Sequence, residues 1–149
     1  MTDTPSPTRD ETARLLAGLW RLNRLLGQDI DPQLEASHGI DMRSYGFLKM
    51  IQHGTYPKKI AEQLKLPGSL VSHKLDQLQT LGLIERLLDR EDSRRIRLEL
   101  TEAGRQLTAD AEEALHTAVS ARLAQLPPGA LHTFLDALDR LTQPTEATP

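Results

Sequence analysis

Cysteine is absent from this chain of 149 residues, and aromatic residues are few, with one Trp, two Tyr and two Phe. Without a thiol, the chain cannot form a disulfide, bind a metal through thiolates or sense oxidation through cysteine chemistry. No apolar run approaches the roughly 20 residues that a membrane-spanning helix requires. The N-terminus carries acidic residues and lacks the basic stretch of a secretory signal. We therefore expect a soluble, cytoplasmic protein with no membrane partner.

The motifs of common enzyme classes are also missing. The sequence has no glycine-rich phosphate loop, no Gly-x-Ser-x-Gly nucleophile elbow and no cysteine nucleophile. Asp89, Glu91 and Asp92 are of the types used in acid–base catalysis, but solvated charge is the simpler interpretation of a polar hairpin tip. Pairs of histidines spaced as metal ligands on one helix face are absent among His38, His53, His73, His116 and His132. We expect no enzymatic activity, no metal and no cofactor.

The net charge of −3 hides an uneven distribution along the chain. Residues 43–105 carry 12 Lys/Arg against 8 Asp/Glu, a net charge of +4, and the remaining residues carry 6 against 13, a net charge of −7. Because phosphate contacts depend on where the cations lie, a basic centre between acidic arms is compatible with nucleic-acid binding. The same distribution is also compatible with simple solvation.

Long amphipathic segments flank this basic centre. Apolar residues three and four apart predict a first helix over residues 11–30, with a face wider than one core contact requires, and Asp31-Pro32 interrupts the pattern. Thr101 is a suitable N-cap for a long helix that continues to Leu126, and a last helix carries an apolar stripe ending at Leu141. The wide first face indicates that this helix contacts two partners.

A helix-turn-helix pattern occupies the first part of the centre. Asp41 is a suitable N-cap for a second helix, and Pro57 suits the first turn of a third, whose buried face includes Ile60 and Leu64. A fourth helix from Ser69 turns its apolar residues inward and leaves a polar face outward, suited to contacts with bases and phosphates in the major groove. That outward face consists of Ser69, Ser72, His73, Lys74 and Gln77. Lys58 and Lys59 are further candidates for phosphate contact.

A charged hairpin follows. Ile96, Leu98 and Leu100 alternate with charged residues, which predicts a strand with one buried face, and the segment 89–94 contains no large apolar residue. Burying this tip would be costly, so we expect it to project into solvent or against a polyanion. A hairpin with arginines at its tip, after a helix-turn-helix, is typical of a wing that contacts DNA.

The combined motifs resemble the MarR family of bacterial transcription regulators. The resemblance covers most of the chain, and its most specific part is Gly82-Leu83-Ile84, then Arg86, Asp89, Asp92 and Arg94, then the segment 98–104. It implies a mainly α fold with a small β-hairpin wing (α+β) in one domain over residues 1–149. Residues 42–100 would form the winged helix-turn-helix lobe, and residues 11–30 and 101–141 the dimerisation helices.

The resemblance also implies roles for wing residues. The wing-tip arginine enters the minor groove while an aspartate two residues earlier holds it, and these roles fall on Arg94 and Asp92. The narrow groove favours a guanidinium through its negative potential. Phosphate contact and simple solvation stay open as alternatives for Arg86, Arg90, Arg95 and Arg97. The chain departs from the family's usual pattern at Pro67-Gly68, His73 and Arg90.

The function implied is that of a sequence-specific transcriptional regulator. We expect a homodimeric repressor of a pseudopalindromic operator on double-stranded DNA, released by a small aromatic or anionic effector. By resemblance, the residues lining an effector pocket would be Trp20, Arg24, Tyr45 and His116. Two alternatives stay open: a constitutive or architectural DNA-binding protein without an effector, and a dimeric interaction module that has lost DNA binding.

Overall fold

The computed structural model describes residues 6–143, which form six helices and one two-stranded antiparallel sheet. The elements are α1 (Arg9–His38), α2 (Met42–Ile51), α3 (Pro57–Leu64), α4 (Gly68–Thr80), β1 (Ile84–Leu88), β2 (Ile96–Leu100), α5 (Glu102–Leu123) and α6 (Ala130–Thr142). The predicted class, mainly α with a small β-hairpin, is confirmed. No helix within residues 6–143 combines the length and apolar character needed to cross a bilayer.

The core lies mainly where α2, α3, α4 and the hairpin meet. Its fully buried side chains come from all of these elements and include Leu48, Ile51, Ile60, Leu75 and Leu98. Asp41 starts α2 as predicted, because its Oδ1 accepts the N–H of Ser44 at 2.8 Å. Pro57 stands in the first turn of α3, where its missing N–H costs no hydrogen bond. α5 packs against α1 and α2 and so joins this lobe to the long helices.

The hairpin is extended by a short third segment. β1 pairs with β2 in a register that places Ile84 opposite Leu100 and Leu88 opposite Ile96. Thr55 also forms a bridge with Leu98, in which each residue donates a backbone N–H to the other, at 3.2 and 2.8 Å. The residues just before α3 therefore lie along the edge of the hairpin.

The predicted interruption at Asp31-Pro32 is wrong, because α1 runs through Pro32 and covers residues 9–38 where 11–30 was expected. Proline deprives the carbonyl four residues earlier of its partner. Pro32 itself is exposed, whereas Ile30 and Leu34 on the packed face are 1% and 2% exposed. Packing on both sides of the proline therefore outweighs the loss. The helix ends at Gly39, whose φ of 67° is left-handed.

Two residues predicted to face inward are exposed instead. Leu64 is 40% exposed and Ile96 is 39% exposed, since each stands at the end of its element, beyond the residues that pack on the core.

The N-cap at Thr101 is confirmed, because its Oγ1 accepts the N–H of Gly104 at 3.0 Å. α5 ends at Leu123, short of the predicted Leu126.

Large apolar side chains of α1 and α6 are left uncovered. Trp20 is 80% exposed, and α6 has no extensive packing against another element of the described chain. Further exposed apolar residues on these two helices are Leu15, Leu16, Leu19, Leu22, Phe134, Leu135, Leu138 and Leu141. The dimerisation role expected for these helices stays a prediction, and this surface is where a second copy would pack.

Candidate nucleic-acid interface

The outer face of α4 is polar and carries little charge. Ser69, Ser72, His73 and Gln77 are exposed as predicted, with His73 Nε2 lying 3.3 Å from Gln77 Nε2. Lys74 differs from the prediction, because it is half-buried with its Nζ 3.3 Å from the Ser44 hydroxyl on α2. The helix thus presents hydroxyl, imidazole and amide groups, which are of the types able to donate to or accept from base edges.

The start of α4 has no side-chain cap. Pro67 stands at the N-cap position, and its carbonyl accepts the N–H groups of Leu70 and Val71 at 3.1 and 3.2 Å. The N–H groups that precede them in the first turn have no partner within the helix and can bond to water or phosphate. The unusual Pro67-Gly68 therefore exposes backbone donors where a capping side chain commonly stands.

The wing tip is organised around the carboxylate of Asp89. Its Oδ1 accepts the N–H groups of Glu91 and Asp92 at 2.9 and 3.0 Å, and its Oδ2 accepts the Tyr56 hydroxyl at 2.5 Å. The Tyr56 hydrogen bond, followed by the two backbone donors, lowers the pKa of Asp89 to about 2. The interpretation of Asp89 as solvated charge is wrong, since the residue is only 9% exposed.

Arg94 and Asp92 form the predicted pair. The Arg94 Nε lies 3.2 Å from Asp92 Oδ1, and the same oxygen accepts the Arg94 backbone N–H at 3.1 Å. The Arg94 side chain is 90% exposed. An exposed pair of this kind stabilises the fold by only about 0–1 kcal/mol, so its main effect is to limit the directions in which the guanidinium points. Contact with DNA stays a prediction for both residues.

The other arginines of the hairpin differ in their surroundings. Arg86 is held by Asp76 Oδ1 at 2.7 Å and Gln79 Oε1 at 2.5 Å, so it joins β1 to α4 instead of standing free. Arg90 is exposed. Arg95 places its guanidinium carbon 4.1 Å from the centre of the Tyr56 ring. Arg97 pairs with Glu99 at 3.0 Å.

Tyr56 and Asp76 were not predicted as site residues. Tyr56 lies one residue before Pro57, at the N-cap position of α3, and makes no capping hydrogen bond there. The sequence does carry one sign of this role: a tyrosine stands just before Pro57, at the position where a helix usually has a short capping side chain such as Ser or Asp. Asp76 sits on the exposed part of α4 and is distinguished from other surface carboxylates only by its contact with Arg86.

The structure does not bring the four expected effector residues into one cavity. A cavity of about 880 Å³ between α1 and α2 is lined by Arg24 together with residues such as Met42 and Arg43, and by none of the other three. Tyr45 is buried, and this burial raises its pKa, whereas Trp20 and His116 are exposed on α1 and α5. Within residues 6–143, no group of three His, Asp or Glu is placed to hold a metal ion.

Comparison with solved structures shows that the architecture is shared. A MarR-family regulator from Rhodococcus sp. RHA1 is 24% identical, with 94% of this chain and 100% of that chain covered and a TM-score of 0.71. S. aureus MepR in a DNA complex is 25% identical (84% and 94% covered, TM-score 0.70). CouR from Rhodococcus jostii RHA1 bound to p-coumaroyl-CoA is 24% identical (96% and 100% covered, TM-score 0.71).

No family model matches the chain, and no curated protein matches it by sequence. The structural comparison is therefore what identifies the architecture. The chain has the winged-helix fold of the MarR regulators, which confirms the predicted resemblance at the level of fold. The neighbour from Rhodococcus sp. RHA1 is a transcriptional regulator of this family, and MepR was solved as a DNA complex.

Proposed function

We propose that this chain is a sequence-specific DNA-binding transcriptional regulator that acts as a homodimer. The observation that carries the proposal is the ordered, outward presentation of Arg94 by Asp92, at the tip of a hairpin next to the polar face of α4. A surface ion pair alone would not support it. The support comes from its position in a fold shared with MepR, which was solved as a DNA complex.

The distribution of charge suggests different roles in binding for α4 and for the wing. The outer face of α4 offers hydrogen-bonding groups and few cations, whereas the wing carries Arg90, Arg94 and Arg95 in exposed positions. Phosphate and groove contacts supply most of the salt-dependent affinity, and base-edge contacts supply most of the specificity. In the proposed complex the wing therefore contributes mainly affinity, and α4 distinguishes one sequence from another.

A dimer would place two such lobes on one operator. The uncovered apolar surface of α1 and α6 is suited to association with a second copy. A two-fold dimer whose two α4 helices lie roughly 34–36 Å apart would match successive major grooves of a pseudopalindromic site. By occupying such a site the protein would act as a repressor.

Release by a small molecule is the finer part of the proposal. CouR was solved with p-coumaroyl-CoA, an aromatic and anionic ligand. The cavity between α1 and α2 in this chain has two arginines in its lining, Arg24 and Arg43, together with three carboxylates, Asp31, Glu35 and Asp41. An aromatic acid that weakens DNA binding would support this effector class. If no compound across several chemical classes releases DNA, the constitutive or architectural alternative is favoured.

The test of DNA binding uses a duplex selected by the wild-type protein from a random pool. Arg94→Ala is expected to bind this duplex about tenfold more weakly, since a good specific contact is worth about 1–3 kcal/mol. Loss of one cationic contact should also reduce the slope of log K against log salt by about 1. Titrations by fluorescence anisotropy at several salt concentrations measure both quantities.

Arg140→Ala is the matched control, because it removes an exposed arginine from α6, far along the chain from the wing. It should bind as the wild type does. Equal affinity of Arg94→Ala and wild type would refute the role of the wing. If the wild-type protein shows no salt-dependent binding to any duplex in the pool, the interaction-module alternative is favoured.

A further inference from the structure

Tyr56 stands at the junction of three parts of the lobe. It follows Thr55, which is paired with Leu98 of β2, and it precedes Pro57 at the start of α3. The backbone of Tyr56 is therefore fixed on one side by the sheet and on the other by the first helix of the helix-turn-helix. Its side chain does not cap α3, and its hydroxyl bonds to the wing tip instead.

The contacts of Tyr56 reach both ends of the tip loop. Its hydroxyl donates to Oδ2 of Asp89, the residue just after β1, at 2.5 Å. The guanidinium carbon of Arg95, the residue just before β2, lies over its ring at 4.1 Å from the ring centre. Asp89 and Arg95 are themselves joined, because the Asp89 N–H donates to the Arg95 carbonyl at 2.9 Å. Tyr56 is thus the residue through which the loop is tied to the start of α3.

We propose that Tyr56 is a positioning residue for the DNA-contacting arginine of the wing. A continuous set of hydrogen bonds leads from Tyr56 to Asp89, from Asp89 to the Asp92 N–H, and from Asp92 Oδ1 to Arg94. Tyr56 thereby fixes the direction in which Arg94 leaves the lobe. This inference rests on the proposed function, since it assigns Tyr56 a role in that same interface.

The physical basis is the cost of ordering the tip on binding. Residues 89–95 contain no large apolar side chain to hold the loop in place. If the loop were free, DNA binding would have to pay for fixing its backbone and the long Arg94 side chain. Because Tyr56 already holds the loop in the free protein, less conformational entropy is lost when DNA binds.

Tyr56→Phe tests the inference, because it removes the hydroxyl and keeps the ring under Arg95. We expect affinity for the selected duplex to fall about fivefold, near the value of one typical hydrogen bond, and the melting temperature to fall slightly, because the Asp89 carboxylate loses one of its donors. Hydrogen exchange should accelerate at the amides of Glu91 and Asp92 and stay unchanged in α4. Gln106→Ala, which removes a side-chain hydrogen bond to Asp110 on the exposed face of α5, is the control and should leave binding unaltered.

A double-mutant cycle separates positioning from other roles. In the Arg94→Ala background, Tyr56→Phe should cause no further loss of affinity, because there is no arginine left to position. An equal further loss in that background would overturn the inference, as would wild-type affinity of the single variant. If Arg94→Ala weakens binding and Tyr56→Phe does not, only the role of Tyr56 fails. If neither does, the proposed wing contact itself fails.

Discussion

At the scale of single residues, Asp89 shows how a carboxylate becomes structural in a loop made of polar residues. One of its oxygens accepts two backbone N–H groups and the other accepts the Tyr56 hydroxyl, so the ionised form is favoured. The same hydrogen bond raises the pKa of Tyr56, because the phenol must stay protonated to donate. The position of the aspartate therefore depends on its being charged.

The charge dependence predicts a specific response to acid. The pKa of Asp89 falls from its ordinary 3.8 to about 2 on folding, so its contribution to stability is complete above pH 3.8 and is lost as the pH falls towards 2. Wild type should be more stable than Asp89→Asn at pH 5, and the difference in melting temperature should shrink between pH 4 and pH 2. Thermal melts at intervals across this range measure the difference.

Glu91→Gln serves as the control for loss of one negative charge from the same loop, because only the backbone N–H of Glu91 bonds to Asp89. A difference between wild type and Asp89→Asn that stays constant from pH 5 to pH 2 would contradict the assignment of the low pKa to this hydrogen-bonded carboxylate.

At the scale of elements, local signals predicted most starts and the overall order of helices and strands. The caps at Asp41 and Thr101 and the proline at residue 57 act within one turn, so the sequence displays them directly. The course of α1 through Pro32 depends on packing with other elements, which periodicity cannot show. The link from Tyr56 to Asp89 spans 33 positions and escapes any local pattern for the same reason.

Close packing of the start of α5 against the chain before β1 leads to a prediction about glycine. A Cβ built on Gly104 would lie 1.9 Å from the carbonyl oxygen of Leu83, which is backbone and cannot turn away. Gly104→Ala should therefore destabilise the protein by about 2–3 kcal/mol, near the upper end for overpacking. Urea unfolding followed by circular dichroism measures the loss.

Gly46→Ala is the matched control, since Gly46 is an exposed glycine within α2 whose added Cβ would meet nothing within 4 Å. It should stabilise the protein by about 0.5–1 kcal/mol through the better helix propensity of alanine. Similar effects of the two substitutions would contradict the close approach of α5 to Leu83.

At the scale of the whole molecule, the described chain has a well-packed lobe and two helices that are poorly covered. The buried core is formed mainly by α2, α3, α4 and the hairpin with residues of α1 and α5, whereas α6 contributes no buried residue and its apolar stripe is exposed. Two ion pairs, Asp29–Arg122 and Lys49–Glu112, and the contact of His38 Nε2 with Asp110 Oδ2 at 3.8 Å tie α5 to α1 and α2. In a dimer formed through α1 and α6, these contacts would hold each winged-helix lobe in a set orientation relative to the dimer interface.

The proposed dimer is tested by placing a charge on the apolar stripe of α6. Leu138→Glu puts a carboxylate at the centre of the stripe, where it would have to be desolvated on association, so the variant should sediment as a monomer. Thr133→Glu puts the same charge on the opposite side of α6 and should leave the oligomeric state unchanged. Analytical ultracentrifugation distinguishes the two, and equal behaviour of both variants would exclude α6 from the interface.

The contact of Arg86 with Asp76 and Gln79 has a consequence for the evolution of binding sites. Because it ties β1 to α4, the two surfaces that would contact DNA in the proposed complex, the outer face of α4 and the wing tip, are held at a set distance from each other. An operator of the proposed complex can accumulate single-base changes, each at a modest loss of affinity. A base pair inserted between the two contact regions would put one of them out of register, so such insertions should be selected against.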